Sequence, residues 1–201
     1  MPALDSQWRP VPIEYLADRL RAAPFFWCLA GGEAVERNVG HPLRSHDDLD
    51  IVILRSEFAA VQDWLGDWHF HAADPPGALR LLARGESLPP SVHDIWCHRD
   101  GCESWELQIM IQESDRKSWH YRRDDRIHGA LSDLASQVSG VPCLRMDLQL
   151  LYKSKDIRSK DEEDFRALLP LLPTAERTNL ARWLRLVYPS GHPWSAALGD
   201  A

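Results

Sequence analysis

Long apolar runs are missing from this 201-residue sequence. No stretch approaches the ~20 residues that a bilayer-spanning helix needs. The first residues, Met1-Pro-Ala-Leu-Asp5, have neither the basic start nor the apolar centre of a secretory signal. A cytoplasmic protein with no membrane partner is therefore expected. Cysteine is sparse, with Cys28, Cys97, Cys102 and Cys143 and no Cys-x-x-Cys pair, so reduced thiols are expected. An excess of positive charge is also missing: 23 Lys and Arg against 30 Asp and Glu give a net charge of -7. A protein built to grip a nucleic-acid backbone needs a basic footprint, so nucleic acid is not an expected partner. A local basic pocket for a nucleoside triphosphate is still allowed. There is no internal repeat and no low-complexity tract.

What is present reads as alternating strands and helices, followed by helices alone. Residues 12–22 place Ile13, Leu16 and Leu20 on one helical face, with Pro12 suited to the first turn. Phe25–Ala30 is a short apolar run between Pro24 and Gly31, which suits a buried strand, and Glu33–Asn38 suits a short helix opened by the glycines. Leu49–Leu54 is apolar and rich in β-branched residues, the mark of a central strand. Ser56 can cap a helix from Glu57 to Leu65 carrying Phe58, Val61, Trp64 and Leu65. Prolines break residues 66–90 into short pieces. Two strands follow, His93–Arg99 and Trp105–Gln112; in the second, alternation puts Glu106, Gln108 and Met110 on one face. Trp119–Arg123 suits a further strand or an extended edge. Helices are expected at Asp147–Lys155, Lys160–Leu169 and Thr174–Val187. The fold class is α+β with an α/β core: a mixed β-sheet flanked by helices over 1–145 and a C-terminal helical section, 146–201, packed on it.

The chemistry concentrates in His46-Asp47-Asp48-Leu49-Asp50-Ile51. Asp48 and Asp50 are two apart at a strand start, so their side chains are expected on one face. Adjacent carboxylates repel unless a cation sits between them. Mg²⁺ takes one or two carboxylates together with phosphate oxygens. Upstream, Gly31-Gly32 ends a strand and opens a helix, where bare backbone and orphan N–H groups can receive an anion. Alone, an Asp-x-Asp is often only an exposed strand and a Gly-Gly only a turn. Here they occur in the order that a metal-bound triphosphate requires.

The segment Trp27-Cys-Leu-Ala-Gly-Gly-Glu-Ala-Val35, then Gly40, then Arg44-Ser-His-Asp-Asp-Leu-Asp-Ile51, resembles the signature of the small nucleotidyltransferases of the DNA polymerase β superfamily. It is most similar to their aminoglycoside and lincosamide branch, closely over residues 25–55 and loosely over 104–112 and 150–165. The resemblance implies an enzyme that moves a nucleoside monophosphate from a triphosphate, ATP first among the candidates, to a hydroxyl of a small-molecule acceptor. It implies Mg²⁺ at Asp48 and Asp50 and phosphates at Gly31 and Gly32. It also implies a third catalytic carboxylate on the strand at 105–111, where the aligned residue is Gln108. A register shift would let Glu106 substitute, unless Glu106 is only a solvated edge residue. Glu113 is the remaining acid there, on the opposite face by strand parity. If none serves, the alternative is a degenerate fold that binds a nucleotide or a partner without turnover.

Other residues carry two readings each. Lys153 and Lys160 can face the triphosphate by resemblance, or sit on a solvated face balanced by Asp156, Asp161, Glu162, Glu163 and Asp164. Arg44 and His46 can touch phosphate or hold the loop ahead of the acids. His93, Cys97, His98 and Cys102 are zinc-ligand types, but their spacing is loose and alternation separates Cys97 from His98. Trp27, Trp64 and Trp183 fall on apolar faces and are expected in the core. Trp96, Trp105, Trp119 and Trp194 could stack on a base or a ring-bearing acceptor.

Overall fold

A computed structural model describes residues 7–75, 77–115 and 117–199. In chain order the elements are α1 (Ile13–Leu20), β1 (Trp27–Ala30), α2 (Gly31–Val39), β2 (Asp50–Leu54), α3 (Phe58–Trp64), β3 (Trp68–Ala72), β4 (Arg80–Leu81), β5 (Asp94–Arg99) and β6 (Leu107–Ser114). They continue with β7 (Ser118–His120), β8 (His128–Ala130), β9 (Ala135–Val138), β10 (Val141–Leu144), α4 (Met146–Lys153), α5 (Ser159–Leu168), α6 (Thr174–Val187) and α7 (Ser195–Leu198). The architecture is the expected mixed sheet with helices. No described helix is long and apolar enough to cross a membrane, and the four cysteines form no disulfide.

The chain forms two compact units that interleave along the sequence. One holds the chain up to Leu29 and Ser45–Ser114; the other holds Ala30–Arg44 and everything from Asp115 onward. The junction at 145/146 lies in the second unit, between β10 and α4.

In the first unit the strands run in the order β4-β3-β5-β6-β2-β1. β2 and β6 are parallel, with Asp50 opposite Gln108 and Ile51 opposite Ile109. β5 is antiparallel to both β6 and β3. Period-two alternation sorts the side chains. Ile51, Ile53, Ile95, Cys97, Leu107 and Ile109 are fully buried, together with Leu16 and Leu20 of α1 and Val61 of α3. Asp50, Asp94, Trp96, His98, Gln108 and Met110 make up the half-buried face. Ser56 does not cap the following helix. It lies in a 3₁₀ turn, Arg55–Glu57, and α3 starts after it with no side-chain cap.

Among its described residues, the second unit is built from two hairpins and five helices. β9 and β10 are joined by Ser139-Gly140, both at positive φ (48° and 78°), the backbone that a tight two-residue hairpin turn demands. β7 pairs with β8, and Gly129 lies against the ring of Trp119, where a Cβ would come within 3.0 Å. Leu148, Leu150, Leu151, Leu168, Leu180 and Leu184 fill the space between the helices. Phe165 stacks on Trp194 with ring centres 4.4 Å apart. Trp119 and Trp194 are thus core residues, not the ring-stacking surfaces that the sequence also allowed.

Candidate active site

Asp50 opens β2, and Asp48 lies in the loop just ahead of it. Between them Leu49 is buried, and its carbonyl accepts the Gln108 N–H at 2.8 Å, which fixes the loop to β6. Both carboxylates are half-buried. Asp48 makes no hydrogen bond or ion pair among the described residues. A partly desolvated carboxylate without a partner, beside a second one, is unfavourable until a cation shares the two. An all-oxygen pair suits Mg²⁺, which keeps several waters and phosphate oxygens of its own. Among the described residues no group of three or more His, Cys, Asp or Glu could hold a metal ion. The zinc alternative also lapses: Cys97 is fully buried in the core.

Glu106 faces away from Gln108, contrary to the alternation expected from sequence. Its N–H donates to the carbonyl of Cys97, yet the register partner of Cys97 is Leu107. Two residues opposite one is a β-bulge, and it turns Glu106 and Leu107 to the same side. There the Glu106 carboxylate accepts from the Arg99 backbone N–H at 2.9 Å and from its guanidinium at 2.5 Å. The guanidinium itself lies over the rings of Tyr15 and Trp68. Burial alone would raise the Glu106 pKa, but the hydrogen bonds and charge of Arg99 outweigh it and hold the carboxyl below its ordinary value. Glu113 is likewise taken, by the Arg55 guanidinium. Gln108 stands opposite Asp50, and its amide donates to the Asp94 carboxylate at 3.3 Å.

The second unit holds the remaining candidates. Gly31 is the first residue of α2 and has φ +66°, where a side chain would be strained. Its N–H donates to the Gln149 side chain of α4 at 3.0 Å. No side chain caps α2, so the first-turn N–H groups from Gly32 onward keep their orphan character. Lys153 lies in an ion-pair network: its ammonium meets Asp164 at 2.8 Å and Asp161 at 3.3 Å. Arg44 grips Asp164 through Nη2 at 2.9 and 3.0 Å, and Arg158 pairs with Asp161 at 2.8 Å. Burial would raise Asp161, but Arg158 and Lys153 prevail and pull it down to about 2. Glu36 accepts the backbone N–H groups of Leu43 and Arg44, so it orders the loop that leads to His46. Lys160 is half-buried and has no ion-pair or hydrogen-bond partner among the described residues. Gln149 and Glu36 were not legible as site residues, because a buried amide 118 positions from its partner leaves no local signal.

The half-buried face of the first unit also carries a ring cluster. His69 stacks on His98 at 4.8 Å, and His71 lies 5.4 Å from His98 and 5.0 Å from Trp105. Burial first, then the neighbouring His98 and His69, push His71 down to about 4. The unfolded chain then binds this proton more readily than the folded one. Stability is therefore complete above the ordinary value of 6.5 and declines as pH falls from there toward about 4. His71→Asn is expected to flatten that decline when urea midpoints are compared at about pH 7 and about pH 5. An unaltered slope would assign the acid sensitivity to other groups.

A parallel strand pair headed by two carboxylates, preceded in the chain by a Gly-Gly helix start, is the arrangement that the nucleotidyltransferase resemblance leads one to expect. Over residues 13–168 the sequence matches the model of the aminoglycoside-2''-adenylyltransferase family, and the chain belongs to that family. The fold is similar to the lincosamide antibiotic adenylyltransferase LnuA solved with lincomycin (TM-score 0.56, 18% identity, covering 83% of this chain and 100% of that one). It is also similar to ANT(2'')-Ia in complex with adenylyl-2''-tobramycin (TM-score 0.52, 13% identity, 85% and 94% covered). A solution structure of ANT(2'')-Ia gives a TM-score of 0.53 at 14% identity, with 89% and 91% covered. No protein of curated function matches the chain in sequence.

Proposed function

We propose that this protein is a Mg²⁺-dependent adenylyltransferase that acts in the cytoplasm, moving AMP from ATP to a hydroxyl of a small antibiotic-like acceptor. The observation that carries the reading is the Asp48–Asp50 pair: two half-buried carboxylates, the first with no partner among the described residues, in a chain of this family. Asp48 and Asp50 are assigned to the cation. Once bound, that cation would neutralise the triphosphate and favour in-line displacement at the α-phosphorus. The uncapped first turn of α2, from Gly32, and Lys160, which has no partner among the described residues, are assigned to phosphate oxygens, by backbone donation and by charge. Gly31 supplies the backbone turn, and Gln149 holds it. Arg44 and Lys153 act through Asp164, keeping α5 and the loop before His46 in place.

The competing reading, a nucleotide-binding protein without turnover, rests on Gln108, an amide in register with Asp50. Pyrophosphate release from each nucleoside triphosphate with Mg²⁺, measured across a panel of hydroxyl acceptors that includes lincomycin and tobramycin, separates the two. Release with ATP, dependent on acceptor, is the expected result. Nucleotide binding with no release for any acceptor would overturn the enzyme reading.

A further inference from the structure

We propose that Asp94 is the base of this reaction, with Gln108 as the residue that positions it. The inference rests on the adenylyltransferase reading above.

Transfer to a hydroxyl requires a group to take its proton, and that group must share the face that carries Asp50. The acids around β2, β5 and β6 can be taken in turn. Glu106 lies on the opposite face with its oxygens on Arg99. Glu113 is bound by Arg55. Asp48 and Asp50 are committed to the cation. Asp94 remains: it stands on β5 opposite Met110, on the face of Gln108 and Asp50, and is half-buried. One of its oxygens accepts from the Gln108 amide at 3.3 Å, and the other has no partner among the described residues.

Gln108 thereby acquires a purpose. An amide is no base, but on the middle strand of three it can hold a carboxylate that arrives from the next one. Asp50 and Asp94 lie two strands apart, with backbones separated by roughly 10 Å laterally. That leaves room above Gln108 for a hydroxyl between the two acids. In the step itself, the free oxygen of Asp94 takes the acceptor's proton. The acceptor oxygen forms its bond to the α-phosphorus, the bond from that phosphorus to the bridging oxygen breaks, and pyrophosphate leaves with the electron pair.

The test uses the full chain with Mg·ATP and whichever acceptor of the panel supports release. Asp94→Asn is expected to lower kcat roughly 100-fold or more while leaving ATP affinity and the melting temperature near wild type. Gln108→Ala, which frees the Asp94 side chain, is expected to lower kcat by about tenfold, again without loss of ATP affinity. The double variant Asp94→Asn/Gln108→Asp, which returns a carboxylate to the face one strand over, is expected to regain most of the lost rate. Wild-type kcat in Asp94→Asn overturns the assignment. So does a loss of ATP affinity that parallels the loss of rate. If Asp94→Asn fails to fold, wild-type kcat in Gln108→Ala overturns it instead. An inactive Asp50→Asn beside a fully active Asp94→Asn would sink only the Asp94 role. No release by the wild type with any acceptor would sink the parent reading, and this one with it.

Discussion

Asp50→Asn is expected to remove about 4 kcal/mol of transition-state stabilisation, roughly a thousandfold in pyrophosphate release, without lowering the melting temperature. Asp50 stands at a strand start beside Asp48, and each charge is a cost to the other in the absence of a cation. Asp50 also has an interaction partner of its own, and the isosteric amide can keep a hydrogen bond there while the repulsion is relieved, so stability should stay near wild type. The same change leaves a divalent ion with a single protein carboxylate, and amides serve Mg²⁺ poorly. Calorimetry of Mg·ATP binding and a thermal melt on the same preparation check both halves. Full activity in this variant would remove the metal assignment.

Asp164→Ala is expected to destabilise the second unit by about 3–5 kcal/mol, the usual cost of leaving buried charge uncompensated. The Asp164 carboxylate is 1% exposed and is shared by the Arg44 guanidinium and the Lys153 ammonium, itself 9% exposed. Removing it takes a buried carboxylate away from both cations, and Asp161 is left to balance Lys153 together with Arg158. Urea unfolding gives the free energy directly. A loss below about 1 kcal/mol would mean that the network is hydrated like a surface ion pair. Asp164→Ala/Lys153→Met should recover part of the loss, since it removes one of the two charges that Asp164 balances.

Legibility in the sequence followed the range of the forces involved. The strand from Asp50 to Leu54, the glycine-opened helix and the 174–187 helix were readable because their signals are local: β-branched runs, a Gly-Gly pair, an apolar period. The β9–β10 hairpin also had a local signal in Ser139-Gly140, though both flanking strands are only four residues long and β10 carries a proline, so they pass unnoticed. Glu106 was misplaced because strand parity assumes an unbroken ladder, and a bulge is set by the partner strand. Lys153 was read toward a triphosphate by resemblance, and Arg44 as either a phosphate contact or a holder of the loop. Only the three-dimensional structure reveals that Asp164, 120 positions from Arg44, claims them. Asp94 escaped notice for the same reason, since its link to Gln108 crosses a strand pairing.

The path of the chain between its two units has a genetic consequence. The polypeptide leaves the first unit after Leu29, returns at Ser45 and leaves again after Ser114. Neither unit is one uninterrupted stretch of gene, so no single recombination breakpoint can exchange a whole unit between relatives. A breakpoint near codon 145 would separate Gly31 from Gln149, and Arg44 from Asp164. Chimeras in this family should therefore survive when both segments of a unit come from one parent. They should fail when the segments are mixed, even where each junction falls in a loop.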